Sequence, residues 1–202
     1  EAEDQANGND WTIRLTFNPL SGGGTYRMKD HNGVTQASGT FSSATSVSLV
    51  AGPFHLFIGT PSSDGSAGSP VAVTAGMQGI FFGLGGDDNL AGGAKSDYLF
   101  GMDGADTING NGDKDFILGG AGDDTIHGNA GGDSIWGEAD KDSLYGDEDS
   151  DNLYCGDGPD DQLAVGGDDT ANDTIWGGPA ADKLDGDAET DQPQTSGGTD
   201  YI

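Results

Sequence analysis

Residues 83–154 read GLGGDDNLA GGAKSDYLF GMDGADTIN GNGDKDFIL GGAGDDTIH GNAGGDSIW GEADKDSLY GDEDSDNLY, and cutting them every nine residues aligns three columns. Position one is Gly in every block. Position six is Asp: Asp88, Asp97, Asp106, Asp115, Asp124, Asp133, Asp142 and Asp151. Position eight is Leu or Ile: Leu90, Leu99, Ile108, Ile117, Ile126, Ile135, Leu144 and Leu153. Further on the frame stretches, but the Asp-x-apolar spacing persists at Asp161/Leu163, Asp173/Ile175 and Asp182/Leu184. At Asp191 position eight becomes Pro193, which has no N–H for a sheet ladder and marks the end of the pattern.

Each column has a physical meaning. Gly lets a turn fold its carbonyls around an ion, because a positive φ costs it little. A carboxylate every nine residues sets like charges in rows, which repel unless a counter-ion lies between them. Calcium is a hard ion that takes carboxylate and carbonyl oxygens together. Position eight supplies a thin apolar core, too small to fold the chain unaided, so metal binding is expected to be coupled to folding. Position four is not Gly at Lys95, Asp113, Asp140 and Asp149, and those turns are expected to bind more weakly or with altered geometry.

These columns resemble the nonapeptide G-G-x-G-x-D-x-U-x of the RTX, or haemolysin-type, calcium-binding family. The resemblance covers residues 83–191. It implies an all-β chain with a right-handed parallel β-roll, six residues of turn and three of strand per repeat, and about 18 residues per coil. It also implies several Ca2+ ions, held between turns stacked along each edge of the roll. Carried over residue by residue, the ligand role falls on Asp88, Asp97, Asp106, Asp115, Asp124, Asp133, Asp142, Asp151, Asp161, Asp173 and Asp182, with turn carbonyls beside them.

Composition alone points elsewhere. The 202 residues include 38 Gly, 35 acidic and 7 basic residues, with a net charge of −28 and 33% hydrophobic residues. Without a frame, that would read as disorder. Residues 83–202 hold 29 of the acidic residues and 4 of the basic ones, so the charge belongs to the repeats. So acidic a surface disfavours nucleic acid and anionic membranes. No apolar run approaches the ~20 residues of a membrane span, so no membrane insertion is expected. A single Cys excludes a disulfide framework.

The first part of the chain reads as β. Trp11, Ile13, Leu15 and Phe17 alternate with polar residues. Segments 25–29 and 34–41 flank Asn32-Gly33, a hairpin signal. Segments 46–50, 54–58, 71–74 and 80–82 add strands, and 60–70 reads as a loop. The expected division is an acidic tail at 1–10, a small antiparallel β domain at 11–75, the calcium-binding roll at 76–195, and a C-terminal tail at 196–202.

The two outer faces of the roll differ. Positions seven and nine point outward, and equivalent residues stack every eighteen. One face carries Asn109, His127 and Tyr145 among small polar residues. The other carries Tyr98, Phe100, Phe116, Leu118, Trp136, Tyr154 and Trp176. An apolar row of that size is rarely left bare, so it is expected to be an interface. Its candidate occupants are the chain's own N-terminal domain, another subunit, or a glycan stacked on the rings.

Signs of catalysis are missing. There is no H-E-x-x-H, no G-x-S-x-G and no phosphate loop ending in G-K-[ST]. His31, His55 and His127 are scattered along the chain, and Cys155 stands where a position-one Gly is due. The expectation is therefore a non-catalytic, extracellular calcium-binding structural protein. It would assemble with copies of itself or attach to a surface layer, filament or matrix. A calcium-dependent glycan-binding module is the alternative, and a secreted enzyme with an N-terminal site comes third. The first residue is Glu1 rather than Met, which suggests a removed signal and a place outside a bacterial cell.

Overall fold

The computed structural model describes residues 2–3, 12–18, 23–30, 32–41, 47–51, 53–60, 62–66, 69–158, 162–165, 172–179, 183–186 and 192–194. All regular structure among them is β. Strands β1 (Ala2–Glu3), β2 (Thr12–Asn18), β3 (Gly23–Lys29) and β4 (Thr35–Phe41) form one antiparallel sheet in chain order. Ala2 and Glu3, which fall in the expected tail, pair with Ile13 and Thr12.

The rest forms two sheets. Strands β5 (Val47–Ala51), β6 (Phe54–Ile58), β7 (Val71–Ala72), β8 (Gln78–Gly85), β9 (Asn89–Ala91) and β10 (Tyr98–Asp103) begin them. β11 (Thr107–Gly112), β12 (Phe116–Ala121), β13 (Thr125–Ala130), β14 (Ser134–Ala139), β15 (Ser143–Glu148) and β16 (Asn152–Gly156) continue them. β17 (Gln162–Val165), β18 (Thr174–Trp176), β19 (Lys183–Gly186) and β20 (Gln192–Gln194) end them. Even-numbered strands from β6 onward lie in one sheet and odd-numbered strands from β7 onward in the other. Every pairing in these runs is parallel, so the chain climbs as a solenoid. β5 alone pairs antiparallel, closing the first sheet beyond β6.

The register follows the repeat. Leu99 pairs with Ile117, Ile117 with Ile135, Ile135 with Leu153, and Leu153 with Ile175. The opposite sheet stacks Leu90, Ile108, Ile126 and Leu144 in the same way. All of these side chains are fully buried in one cluster. Strands of one sheet alternate partly exposed and buried residues because side chains point to opposite faces with a period of two.

The solenoid begins earlier than the expected boundary at residue 76. β6 pairs parallel with β8, and β7 with β9, so segments expected in the antiparallel domain belong to the roll. The reason lies in β6 itself. Phe54–Ile58 is buried at every position, as befits a parallel strand covered on both faces rather than an alternating antiparallel one. Its inner side joins Phe57 to Phe81. Its outer side meets Met28, with Tyr26 and Ala37 beside it, against Phe54, Leu56, Ile58 and Ile80. The antiparallel sheet therefore lies over the beginning of the solenoid's outer face.

Candidate metal centre

The turns that join the two sheets put the position-six Asp residues in two rows, one along each edge. Asp88, Asp97, Asp106, Asp115, Asp124, Asp133, Asp142, Asp151 and Asp173 are all buried, none more than 3% exposed. A buried carboxylate needs polar partners, and the solenoid supplies one from the coil before. Asp88 N–H donates to Asp106 Oδ1 (2.7 Å), Asp106 to Asp124 (2.8 Å) and Asp124 to Asp142 (3.0 Å). On the other edge Asp97 donates to Asp115 (2.7 Å), Asp115 to Asp133 (2.8 Å), Asp133 to Asp151 (2.7 Å) and Asp151 to Asp173 (2.7 Å).

The position-one Gly explains itself at the same place. A Cβ on Gly101 would stand 2.1 Å from Asp106 Oδ2, and one on Gly119 2.2 Å from Asp124 Oδ2. Gly and Asp five residues apart are thus one device: the carboxylate folds back over a bare Cα. Positions two and four have positive φ, as at Met102 (86°) and Gly104 (129°), or Asn111 (77°) and Asp113 (66°). Asp140 and Asp149 also keep a positive φ, both at 73°, against 124–133° at Gly104, Gly122 and Gly131, so Asp in place of Gly keeps the left-handed side of the turn but changes its geometry as expected. Asp adopts that conformation more readily than most residues. Of the four non-Gly residues at position four, Lys95 is the one without a positive φ.

The other carboxylate oxygen decides the chemistry. Oδ2 of Asp88, Asp106, Asp115, Asp124 and Asp133 is buried and accepts no hydrogen bond. Such an orphaned oxygen is costly unless something else meets it. Burial pushes the Asp115 and Asp124 carboxyls up to about 8 and Asp88 up to about 7, against the opposing pull of their backbone N–H partners. Neighbouring carboxylates push in the same direction as burial; Asp106 acts on both Asp88 and Asp124. Burial likewise raises Asp106 and Asp133 to about 6. A row of strained anions facing carbonyl-rich turns suits a hard cation. Among the described residues no three acidic, His or Cys side chains converge. An ion here would therefore draw most of its ligands from backbone carbonyls, with one carboxylate per turn.

Among the described turns, two are built differently. At Asp97 both oxygens are taken: Oδ1 accepts the Gly79 N–H, and Oδ2 accepts the N–H of Gly93 at position two (2.5 Å). The second turn in which a position-two N–H takes Oδ2 ends at Asp64, which lies outside the repeat frame and was not among the sequence candidates. Its N–H donates to Asp88 Oδ1 (2.6 Å), the bond that every row makes, and its own Oδ2 accepts the Thr60 N–H (2.6 Å). A Cβ on Gly59 would stand 2.6 Å from Asp64 Oδ2, so Gly59 and Asp64 repeat the Gly–Asp device. The five-residue Gly-to-Asp spacing was the available signal. It was hidden by 24 residues between Asp64 and Asp88 and by Ser66 at position eight. Asp161 and Asp182 lie outside the described residues.

The predicted outer row is brought together. Phe82 stacks on Phe100 (centroids 4.8 Å, planes 5° apart), Trp136 on Tyr154 (4.8 Å, 3°) and Tyr154 on Trp176 (4.2 Å, 1°). Phe116 links the two groups at 6.0 Å from Phe100 and 4.7 Å from Trp136. Tyr98 meets Phe116 at 5.9 Å and also packs against the cluster under the antiparallel sheet. Phe100, Phe116, Leu118, Trp136, Tyr154 and Trp176 remain partly exposed. On the opposite face His127 stacks on Tyr145 (4.4 Å, 7°) and pairs through Nδ1 with Asp147 (2.9 Å). Cys155 is buried within the apolar core rather than standing in an open turn.

The family model of the RTX calcium-binding nonapeptide repeat matches residues 82–117, 118–153 and 166–193. No curated protein and no solved structure matches the chain. The matched residues include the parallel coils, the paired Gly and Asp columns and the five orphaned carboxylate oxygens described above. Through these repeats the chain belongs to the RTX calcium-binding nonapeptide-repeat family, whose repeats bind several Ca2+ ions.

Proposed function

We propose that the chain is an extracellular, non-catalytic structural protein whose roll folds on calcium and whose uncovered aromatic face joins it to copies of itself or to a surface layer or matrix. The observation that carries the calcium part is the row of buried, partnerless Oδ2 atoms at Asp88, Asp106, Asp115, Asp124 and Asp133. These carboxylates, with Asp142, Asp151 and Asp173 continuing the rows, are the residues that would hold the ions. Bound calcium supplies positive charge and extra oxygen coordination, which offsets the repulsion along each edge. The chain's part is to hold each carboxylate over its Gly, fix Oδ1 with an N–H from the previous coil, and curl the turn carbonyls inward. Extracellular calcium is plentiful enough for low-affinity sites of this kind.

The aromatic face supports assembly over glycan binding. Sugars stack on ring faces, but in the stacked pairs Phe82–Phe100, Trp136–Tyr154 and Tyr154–Trp176 each ring covers a face of its neighbour. What points outward is a line of ring edges, suited to an apolar or aromatic surface on a partner. A groove of about 370 Å³ beside it, lined by Phe82, Phe100, Met102 and Leu118, extends that apolar surface.

A calcium titration followed by circular dichroism and sedimentation tests both parts. Gain of β structure with calcium, followed by association at high protein concentration, is expected. No gain of structure defeats the folding claim. Gain of structure in a chain that stays monomeric and binds no surface material defeats the assembly claim alone.

A further inference from the structure

The turns fall into two conformational classes, and the class tracks the state of the carboxylate. In the turns ending at Asp88, Asp106, Asp115, Asp124 and Asp133, position two has positive φ (Leu84, Met102, Asn111, Gly120 and Asn129), and Oδ2 has no hydrogen-bond partner. In the turns ending at Asp64 and Asp97, position two is Thr60 or Gly93, neither at positive φ. There the position-two N–H swings onto Oδ2, at 2.6 Å and 2.5 Å. The chain's own peptide donor sits where the open turns leave an oxygen bare. A cation that coordinated that oxygen would have to displace a half-buried N–H from its acceptor.

Position in the fold gives the difference its meaning. Asp64 heads one row and Asp97 heads the other. The two closed turns thus occupy the first rung on each edge. The segment that begins the roll, β6 to β8, has its broadest apolar support. Phe57, Val73 and Phe81 fill its interior, and Leu56, Ile58 and Ile80 are covered from outside by Met28. Later coils bury one Leu or Ile per strand and leave the outer face partly exposed. At position four of the second closed turn, Lys95 brings a fixed positive charge, eighteen residues before Asp113.

We infer that the Gly59–Asp64 and Gly92–Asp97 turns take no calcium, and that the first coil with its antiparallel cover is a metal-independent template on which the calcium-dependent coils fold toward the C-terminus. This rests on the reading that the open turns hold calcium. Template and dependent coils differ in how they meet the same electrostatic problem. The first uses peptide N–H groups already attached to the chain, and the rest need an ion from solution.

Two measurements on the full chain test it. Hydrogen exchange in a calcium chelator should leave peptides from 54–85 protected while those from 101–158 exchange rapidly, and calcium should restore protection in the second set. Equal loss of protection in both regions, or loss confined to 54–85, overturns the proposal. In equilibrium dialysis, Asp97→Asn should bind as many calcium ions as the wild type, while Asp115→Asn should bind fewer. A lower count for Asp97→Asn, matching that for Asp115→Asn, overturns the inference. An unchanged count for Asp115→Asn strikes the calcium reading of the open turns instead. Should Asp97→Asn not fold, the exchange pattern of the wild type decides.

Discussion

The coils at residues 54–97 and those at 101–158 share a backbone path, a parallel register and the Gly–Asp device, yet they are held together differently. In the first region β6 is buried on both faces, and Asp64 and Asp97 are answered from within, while Asp88 between them keeps a bare Oδ2. The later coils expose one face and leave carboxylate oxygens bare in the core of each turn. Geometry alone, then, does not make a repeat calcium-dependent. What does is the orientation of one peptide N–H at position two, together with the apolar area available to replace the ion's contribution.

The sharpest way to break that comparison is to empty the core on either side of it. Phe81→Ala should cost about 3–5 kcal/mol and do so with or without calcium, because Phe81 belongs to the first coil. Ile126→Ala should cost about 2–5 kcal/mol in calcium and change little in chelator, where its coil is already unfolded. Thermal unfolding of both variants in both conditions checks this; equal calcium dependence of the two would erase the distinction.

Position two gives a finer contrast. Gly120 has φ 127°, and a Cβ there would stand 2.0 Å from the Met102 carbonyl oxygen, so Gly120→Ala should cost about 1–3 kcal/mol and raise the calcium midpoint. Gly93 lacks the positive φ and a Cβ there meets Val73 at an ordinary 3.4 Å. Gly93→Ala should be neutral or stabilising by up to about 1 kcal/mol.

Acid should act on the calcium-dependent coils with opposite sign in the two conditions. Their carboxyls are raised by burial toward 6–8 when no metal is present. A raised folded-state value means that proton-linked stability is complete below the ordinary carboxylate range and is lost as pH climbs through 6 to 8. In chelator, lowering the pH from about 8 to about 4 should therefore favour the folded roll. In calcium, protons compete for the same oxygens, so the calcium midpoint should rise as pH falls. Titrations at three pH values, read by circular dichroism, separate the two trends.

The smallest effect on the folded monomer is expected at the outer ladder. Trp176→Ser removes one stacked pair, worth about 0.5–1.5 kcal/mol beyond area, so the monomer should lose little. Trp136→Ser with Trp176→Ser should nevertheless abolish association in sedimentation. Unchanged association would assign the contact to another surface.

Much of this was legible in the residues. Gly at position one, Asp at position six and an apolar residue at position eight each meet a requirement that recurs in every coil, so repetition reveals them. The inward column and the aromatic row follow from two-residue alternation and the eighteen-residue step. Legibility failed where a requirement was met only once. Asp64 is set off by a longer insertion and lacks the apolar partner at position eight. Asp113, Asp140 and Asp149 read as imperfect turns, yet they keep the left-handed backbone that Asp tolerates. Tyr98 reads as one more exposed ring, but the antiparallel sheet packs beside it.

By itself, the sequence determined the nine-residue frame and the face that each repeated side chain would occupy, because these follow from local periodicity, and the resemblance that the frame carries implied the solenoid, its coil length and its calcium. Tertiary structure alone decided where the roll begins, which carboxylates are answered by the chain's own N–H groups, and how much of the aromatic face is covered. Those outcomes depend on groups from a neighbouring coil or another sheet, whose approach no spacing of nine encodes.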